Sequence, residues 1–196
     1  MRKIIYILIF FSLFSNSFSS ENHQLKDITE GNENAKIKIY SYQSLTCPHC
    51  AVFHNKIYPL IKKDYIETGI AKIYFKPFPL DLAALNAAKI AQCAKKEKKI
   101  SFLDYLYETQ ENWMKGKKIE DINQNLKKAA KQFGISEDIF EKCLVFEDLE
   151  DYILNSRIEA VKKFEIKSTP SIVINDVLFK DNLEYEKIKK LIEKLI

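Results

Sequence analysis

From Ala35 the chain alternates apolar and polar residues at the period of a strand, Ala-Lys-Ile-Lys-Ile-Tyr-Ser-Tyr, and this stretch leads directly into Leu45-Thr46 and a cysteine. Beyond Cys50 the apolar positions Val52, Phe53, Ile57, Leu60, Ile61 and Tyr65 recur at helical spacing as far as Gly69, which predicts a helix ending on a glycine stop. Pro59 lies inside that helix and predicts a kink, because proline removes a backbone donor and crowds the preceding turn. Ala71 to Phe75 reads as a second strand, closed by Pro77 and Pro79. Strand, helix and strand in this order make a β-α-β unit with parallel neighbours. From Asp81 to about Phe164 the pattern is helical throughout. Helices are expected from Leu82 to Lys95, from Phe102 to Trp113, and from Ile119 to Phe133 with Gly134 as the stop; more follow Ser136, a natural N-cap. Strand signals return with Pro170-Ser171-Ile172-Val173-Ile174, a turn at Asn175-Asp176 and Val177-Leu178-Phe179, which reads as an antiparallel hairpin. An amphipathic helix from Tyr185 to Ile196 closes the chain.

The beginning of the chain follows a different pattern. Met1-Arg2-Lys3 precedes an apolar run from Ile4 to Phe14, interrupted only by Ser12, and then small polar residues, the layout of a secretory signal peptide. Its 11 residues fall short of the roughly 20 that a bilayer-spanning helix needs. A cut after Ser19 leaves Ser17 and Ser19 at a small-x-small site, and a cut after Ser17 fits nearly as well. The expected organisation is therefore a signal peptide over 1–19, a loosely held polar arm over 20–34, a β-α-β half over 35–82, an all-helical insertion over 83–156, and a hairpin half over 157–196.

Export changes how the four cysteines are read, because outside the cytosol thiol pairs persist as disulfides. The remaining chain is long enough for a core that does not rely on disulfides. The net charge is only +4, and the lysines alternate with acids rather than clustering, so no nucleic-acid partner is expected.

The chemistry centres on Cys47-Pro48-His49-Cys50 at the junction of the first strand and its helix. Cysteines at i and i+3 on a helix N-terminus put one sulfur over unpaired backbone N–H groups at the positive end of the helix dipole, where a thiolate is stabilised. Cys47 reads as the exposed attacking sulfur, and Cys50, one turn inside, as the buried partner that resolves the mixed disulfide. Pro48 fixes the first turn, and a protonated His49 adds positive charge. Stabilising the thiolate stabilises the reduced form, so the motif leans toward donating disulfides. Two other readings of Cys-x-x-Cys are half of a zinc site and an inert structural disulfide. Zinc requires two further ligands, and the chain offers only the isolated Cys93 and Cys143, His23 in the arm, and His54 four residues beyond Cys50. No metal and no cofactor are expected. Thr169-Pro170 stands just before the returning strand; a proline bond is the one peptide bond with an appreciable cis population, although trans is the default from sequence alone.

Taken together, the strand, Cys47-Pro48-His49-Cys50, the proline-interrupted helix, Phe78-Pro79-Leu80-Asp81, the helical insertion, Ser168-Thr169-Pro170-Ser171, the hairpin and the last helix resemble the DsbA-like periplasmic oxidoreductases. The resemblance implies an α/β thioredoxin fold carrying a helical insertion between the β-α-β half and a cis-proline hairpin half. It also implies Cys47 as nucleophile, Cys50 as its partner, and Thr169-Pro170 as the wall against which substrate peptide lies. The implied activity is the introduction of disulfides into exported or periplasmic proteins by a monomer, which a quinone-linked thiol oxidase of the membrane then reoxidises. The rivals are an isomerase or reductase on the same fold, and a non-catalytic folding or metal chaperone. Two positions depart from the pattern: Ser41 stands where many relatives carry a buried acid, and Thr169 stands where the best-known oxidase has valine. Both bear on the direction of electron flow. Some relatives carry a second cysteine pair, so Cys93 and Cys143 are read as a structural disulfide, the alternative being two buried free thiols. Trp113 is expected to pack the insertion, and His54 to lie on a helix surface.

Overall fold

The computed structural model describes residues 25–196; the expected signal peptide and the start of the expected arm lie outside the described residues. Five strands form one sheet in the order β1-β3-β2-β4-β5: β1 (Ile28–Gly31), β2 (Ile37–Gln43), β3 (Ala71–Pro77), β4 (Ser171–Ile174) and β5 (Val177–Leu178). β2 and β3 are parallel, in register from Ile37 opposite Ala71 to Gln43 opposite Pro77, and β4 and β5 form the antiparallel hairpin. The alternation along β2 points Ile37, Ile39, Ser41 and Gln43 to one face and Tyr40 and Tyr42 to the other.

Between β2 and β3, four consecutive segments, Pro48–Val52, Phe53–Ile57, Tyr58–Ile61 and Lys62–Ile66, run together as one helix, α1 (48–66). The irregularity that Pro59 predicts takes the form of a wide turn just ahead of it. Tyr58 N–H reaches back five residues to Phe53 O, and a second wide turn joins Glu67 N–H to Lys62 O. Pro59 has no N–H of its own, so the wider turn places the missing donor without breaking the helix. Phe53 and Ile61 of α1, Ile188 and Ile192 of the last helix α8 (Tyr185–Leu195), and Ile37, Ile39 and Ile73 of the sheet share one core.

The insertion comprises α2 (Leu82–Cys93), a short turn at Lys96–Lys98, α3 (Lys99–Glu108), α4 (Gln110–Trp113), α5 (Ile119–Gln132), α6 (Glu137–Leu144) and α7 (Glu147–Phe164). Asp81 caps α2 through Ala84 N–H at 2.8 Å, and every residue from Ala83 to Gln92 is buried. Its small side chains let the neighbouring helices approach closely. Cys93 and Cys143 are bonded, joining α2 to α6 across 50 residues. Beside them the wholly buried Lys89 donates to Leu144 O at 2.6 Å and to Glu150 at 2.7 Å. Trp113 packs inside the insertion and donates its indole N–H to Leu106 O at 2.8 Å.

Three expectations need correction. The arm over 20–34 is not loose in its second half, because β1 pairs antiparallel with β3 from Ile28 opposite Phe75 to Gly31 opposite Lys72. Only Ile28 of its four residues is buried, so the strand lacks an alternating signal. Gly31 adopts φ +112°, with the place of a side chain 2.6 Å from Ala71 O, so only glycine fits there. The boundary at 156/157 falls in the middle of α7, whose Ala160 packs with Tyr42, Phe78 and Val173 on the opposite sheet face. The helix expected from Phe102 to Trp113 breaks at Thr109, whose hydroxyl donates back to Tyr105 O at 2.7 Å.

Removing the Cys93–Cys143 bridge is expected to lower the unfolding free energy by up to about 4 kcal/mol, the chain-entropy value for a 50-residue loop. Urea titration of a C93A/C143A variant against the parent checks it.

Candidate active site

β2 delivers the chain to a tight loop, residues 44–47, before α1 begins. Cys47 is extended (φ −82°, ψ 120°) at the N-cap, and Pro48 occupies the first turn. Cys47 N–H donates to Ser44 O at 3.1 Å, and Cys47 O accepts the first helical bond from Ala51 at 3.2 Å. Pro48 and His49 face solvent at the tip. Both thiols are free. Cys50 is fully buried, and Cys47 retains 7% exposure. Cys47 is therefore the more accessible sulfur, although it is largely covered rather than exposed as the motif suggested.

What covers it is the second wall. The Thr169-Pro170 bond is cis, and Cys47 Sγ lies 3.4 Å from Thr169 O, to which the thiol donates. An open groove of about 390 Å³ runs on past Pro170, lined by Ile166, Ser168, Leu178, Phe179 and Leu183 among others. The six residues 47–50, 169 and 170 meet at one cleft, whereas Cys93 and Cys143 sit apart in the insertion.

Burial pushes the Cys50 thiol up to about 12. The Thr169 hydroxyl, which is buried and has no hydrogen-bond partner among the described residues, and the Ser44 N–H, 3.4 Å from Cys50 Sγ, act in the opposite direction. Ser41, on the same face of β2 as Gln43, is fully buried and accepts from Gln43 Nε2 at 2.6 Å.

Several supports were not legible as site residues. Gln110, the first residue of α4, donates its amide to both Leu45 O (2.7 Å) and Cys47 O (3.1 Å), so the insertion holds the carbonyls of the redox loop. It is brought there by the break at Thr109, and no motif marks it. Asp81 accepts from Thr46 Oγ1 at 2.7 Å while capping α2, tying the loop to the start of the insertion. Its N-cap position was the one available signal. His54 is not a surface residue: it is 2% exposed, pairs through Nε2 with Asp104 at 2.7 Å, and stacks on Tyr107 at 4.4 Å. Helix α3 covers that side of α1, a contact that helical spacing alone does not reveal. Among the described residues no three His, Cys, Asp or Glu side chains stand together as a metal cluster.

Two outcomes follow from this geometry. Gln110→Ala leaves two carbonyls of a buried loop without their donor and is expected to cost about 1–3 kcal/mol, read by urea denaturation. In the reduced protein, the folded state holds the Cys50 proton more tightly than the unfolded chain, whose thiol titrates near 9.0. The resulting stabilisation is complete below about pH 9 and is lost as pH rises toward 12, by up to ~1.4 kcal/mol per pH unit. Denaturation of the reduced protein and of Cys50→Ala between pH 8 and 11 should show the difference between them shrinking with pH.

Comparison with known proteins fits this architecture. The sequence profile of the family described as Thioredoxin matches residues 23–194. The crystal structure of Wolbachia pipientis alpha-DsbA1 superposes with a TM-score of 0.79 at 30% identity, covering 87% of this chain and 90% of that one. Disulfide bond formation protein D of Bacillus subtilis is 28% identical over 176 residues, 84% of this chain and 74% of its own length. A Rickettsia typhi protein named for protein-disulfide oxidoreductase activity is 25% identical over 171 residues; the chain spans 62% of that relative's length. With its strand-to-helix cysteine pair, cis-proline wall and helical insertion, the chain belongs to the thioredoxin family, on the branch of the DsbA-like proteins.

Proposed function

We propose that this protein is an exported thiol-disulfide oxidoreductase that donates the Cys47–Cys50 disulfide to reduced proteins outside the cytosol, the periplasm in a cell with two membranes. The observation that carries the reading is the approach of Cys47 Sγ to Thr169 O beside a cis proline. A substrate segment laid along residues 168–170 can pair with this backbone as an added strand, bringing its cysteine to Cys47. Exposed Val52, Leu80 and Leu82 on neighbouring segments offer apolar contact to an unfolded client.

In the oxidised protein, a substrate thiolate attacks Cys47 Sγ, the Cys47–Cys50 bond breaks, and Cys50 leaves with the electron pair. A second substrate thiolate then attacks the substrate sulfur of the mixed disulfide, releasing Cys47 and completing the substrate disulfide. The enzyme ends reduced by two electrons and the substrate oxidised by two. Reoxidation needs an external acceptor, for which a quinone-linked thiol oxidase of the membrane is the chemical class. Burial of Cys50 supports this order of events, since only Cys47 is within reach of a bulky client.

The test is the equilibrium potential of the Cys47–Cys50 couple against glutathione, together with oxidation of a reduced client and repair of a scrambled one. A couple well above thioredoxin's, with client oxidation faster than repair, is expected. A potential near about −270 mV would instead identify a reductase. Cys47→Ser should abolish turnover; turnover that survives this change excludes the assigned nucleophile.

A further inference from the structure

Cys47 takes its position from a turn that does little to hold itself. Its N–H donates to Ser44 O at 3.1 Å, closing a four-residue turn over Ser44, Leu45, Thr46 and Cys47. That bond uses the first carbonyl of the turn and the last N–H. The middle peptide, between Leu45 and Thr46, has no partner within the turn. Its flip is what separates type I from type II turns, so a middle peptide left unheld lets the turn take more than one form. Neither Leu45 nor Thr46 is the proline that pre-sets such a turn.

Gln110 supplies the missing partner. It is 6% exposed, and its Nε2 donates at 2.7 Å to Leu45 O, the carbonyl of the middle peptide. The same nitrogen donates to Cys47 O at 3.1 Å, beside the Ala51 N–H, which reaches that oxygen at 3.2 Å as the first helical bond. Both lone pairs of the Cys47 carbonyl are thereby engaged, one by α1 and one by the insertion. With two carbonyl oxygens converging on it, this end of the amide must be the nitrogen, since the reverse would set three acceptors together. The tie is returned from the other side. Asn55 of α1 donates its Nδ2 to Tyr107 O at 3.3 Å, in the last turn of α3, and Trp113 of α4 donates to Leu106 O at 2.8 Å. The Gln110 amide therefore stands on a corner that is itself bonded to the redox helix.

Disulfide exchange gives this support a consequence. When Cys50 resolves a mixed disulfide, its thiolate attacks Cys47 Sγ; the Cys47–Cys50 bond forms, the bond to the outgoing thiol breaks, and that thiol leaves with the electron pair. How readily the ring closes depends on how often Cys47 lies where Cys50 can reach it, which is an effective concentration. In the closed disulfide the covalent ring itself confines the turn. The open forms lack that restraint and keep the same shape only through bonds such as those of Gln110. Without the amide the open forms are free to relax, whereas the closed ring retains two carbonyls without their donor, so the loss falls more heavily on the disulfide.

We propose that Gln110 is a positioning residue of the redox couple: by holding the carbonyls of Leu45 and Cys47 it keeps the open forms of the site shaped for closure by Cys50. The insertion thereby acts on the chemistry through the backbone of the loop. This contribution is one of geometry, apart from the charge that acts on the Cys47 sulfur. It rests on exchange at Cys47–Cys50, in either direction, and not on the oxidase reading.

The experiment reacts the reduced full-length protein with oxidised glutathione and follows two steps separately: attack of Cys47 on glutathione disulfide, and release of the second glutathione as Cys50 closes the ring. Equilibration in glutathione buffers then gives the effective concentration. Gln110→Met keeps the length of the side chain without its donor, and Gln110→Asn keeps an amide that stops one methylene short. Ser136→Ala, which uncaps α6 elsewhere in the insertion, is the control for a plain loss of stability. In Gln110→Met ring closure is expected to slow, and the equilibrium to shift toward the dithiol, each by about tenfold, with the first step within about twofold of the parent. Ser136→Ala should unfold more easily and move neither step. A Gln110→Met protein that is less stable yet closes the ring at the parent's rate, with the parent's equilibrium, overturns the proposal. Equal slowing of both steps also overturns it, because the change then lies in the Cys47 sulfur itself. Should Gln110→Met fail to fold, Gln110→Asn is read against the same outcomes. A parent that never releases the second glutathione overturns exchange at this pair, and the proposal with it.

Discussion

The burial of the Cys50 sulfur under the first turn of α1 is the constraint on which the rest of the site depends. A fully covered thiol can act only on the neighbour beside it, so it must be held at one distance and one angle from Cys47. The loop that achieves this, residues 44–47, has few contacts of its own and borrows them. Ser44 N–H points at the sulfur, Thr46 is tied to Asp81, and the carbonyls of Leu45 and Cys47 share the Gln110 amide. Each bond is worth about 1 kcal/mol net, but a buried carbonyl left unmade costs more, which makes the set a specification of geometry more than a source of stability.

Both insertion contacts that support this loop, Asp81 and Gln110, stand where helices begin. The insertion must then be stiff for its support to mean anything. Its stiffness comes from the buried alanine-rich α2, the Cys93–Cys143 bridge, and Lys89 reaching the end of α6 and the start of α7. Half-exposed Glu150 and a carbonyl share the buried ammonium, so the charge is met on two sides rather than stranded. α7 then crosses to the other sheet face, where Ala160 meets Tyr42 and Val173, so the two halves of the thioredoxin fold and the insertion share one helix.

Period-2 alternation over Ala35 to Tyr42 and helical spacing after Cys50 were enough to read the sheet centre and the redox helix directly from residues, whereas the facing wall came from the family resemblance, since trans is the default for a Thr-Pro read alone. The helical insertion was legible from its helical spacing and from Ser136, a cap that the structure uses. What escaped depends on contacts between distant segments. β1 buries a single side chain and owes its existence to the open edge of β3, so no periodicity betrays it. His54 looks like any polar residue on an amphipathic helix until α3 lies across it and Asp104 receives its ring nitrogen. Gln110 is one amide among several, and only the hydroxyl of Thr109 turning back on Tyr105 aims it at the loop. Local sequence encodes the period and the caps, whereas the supports of the site are encoded in who packs on whom.

The same geometry says where the direction of electron flow is set. Below about pH 9 Cys50 is protonated in the folded dithiol and would be so in an unfolded chain as well, so its raised pKa does not by itself bias the couple at neutral pH. The bias must come from groups acting on Cys47: the N-terminal N–H groups of α1, His49 at the exposed tip, and the Thr169 carbonyl 3.4 Å from the sulfur. In the reduced protein that carbonyl accepts from the Cys47 thiol, so the groove beside Pro170 and the first sulfur meet at one backbone oxygen. Thr169 stands at the crossing: its carbonyl accepts from the Cys47 thiol and its hydroxyl favours the Cys50 thiolate, so one residue of the cis-proline wall acts on both sulfurs.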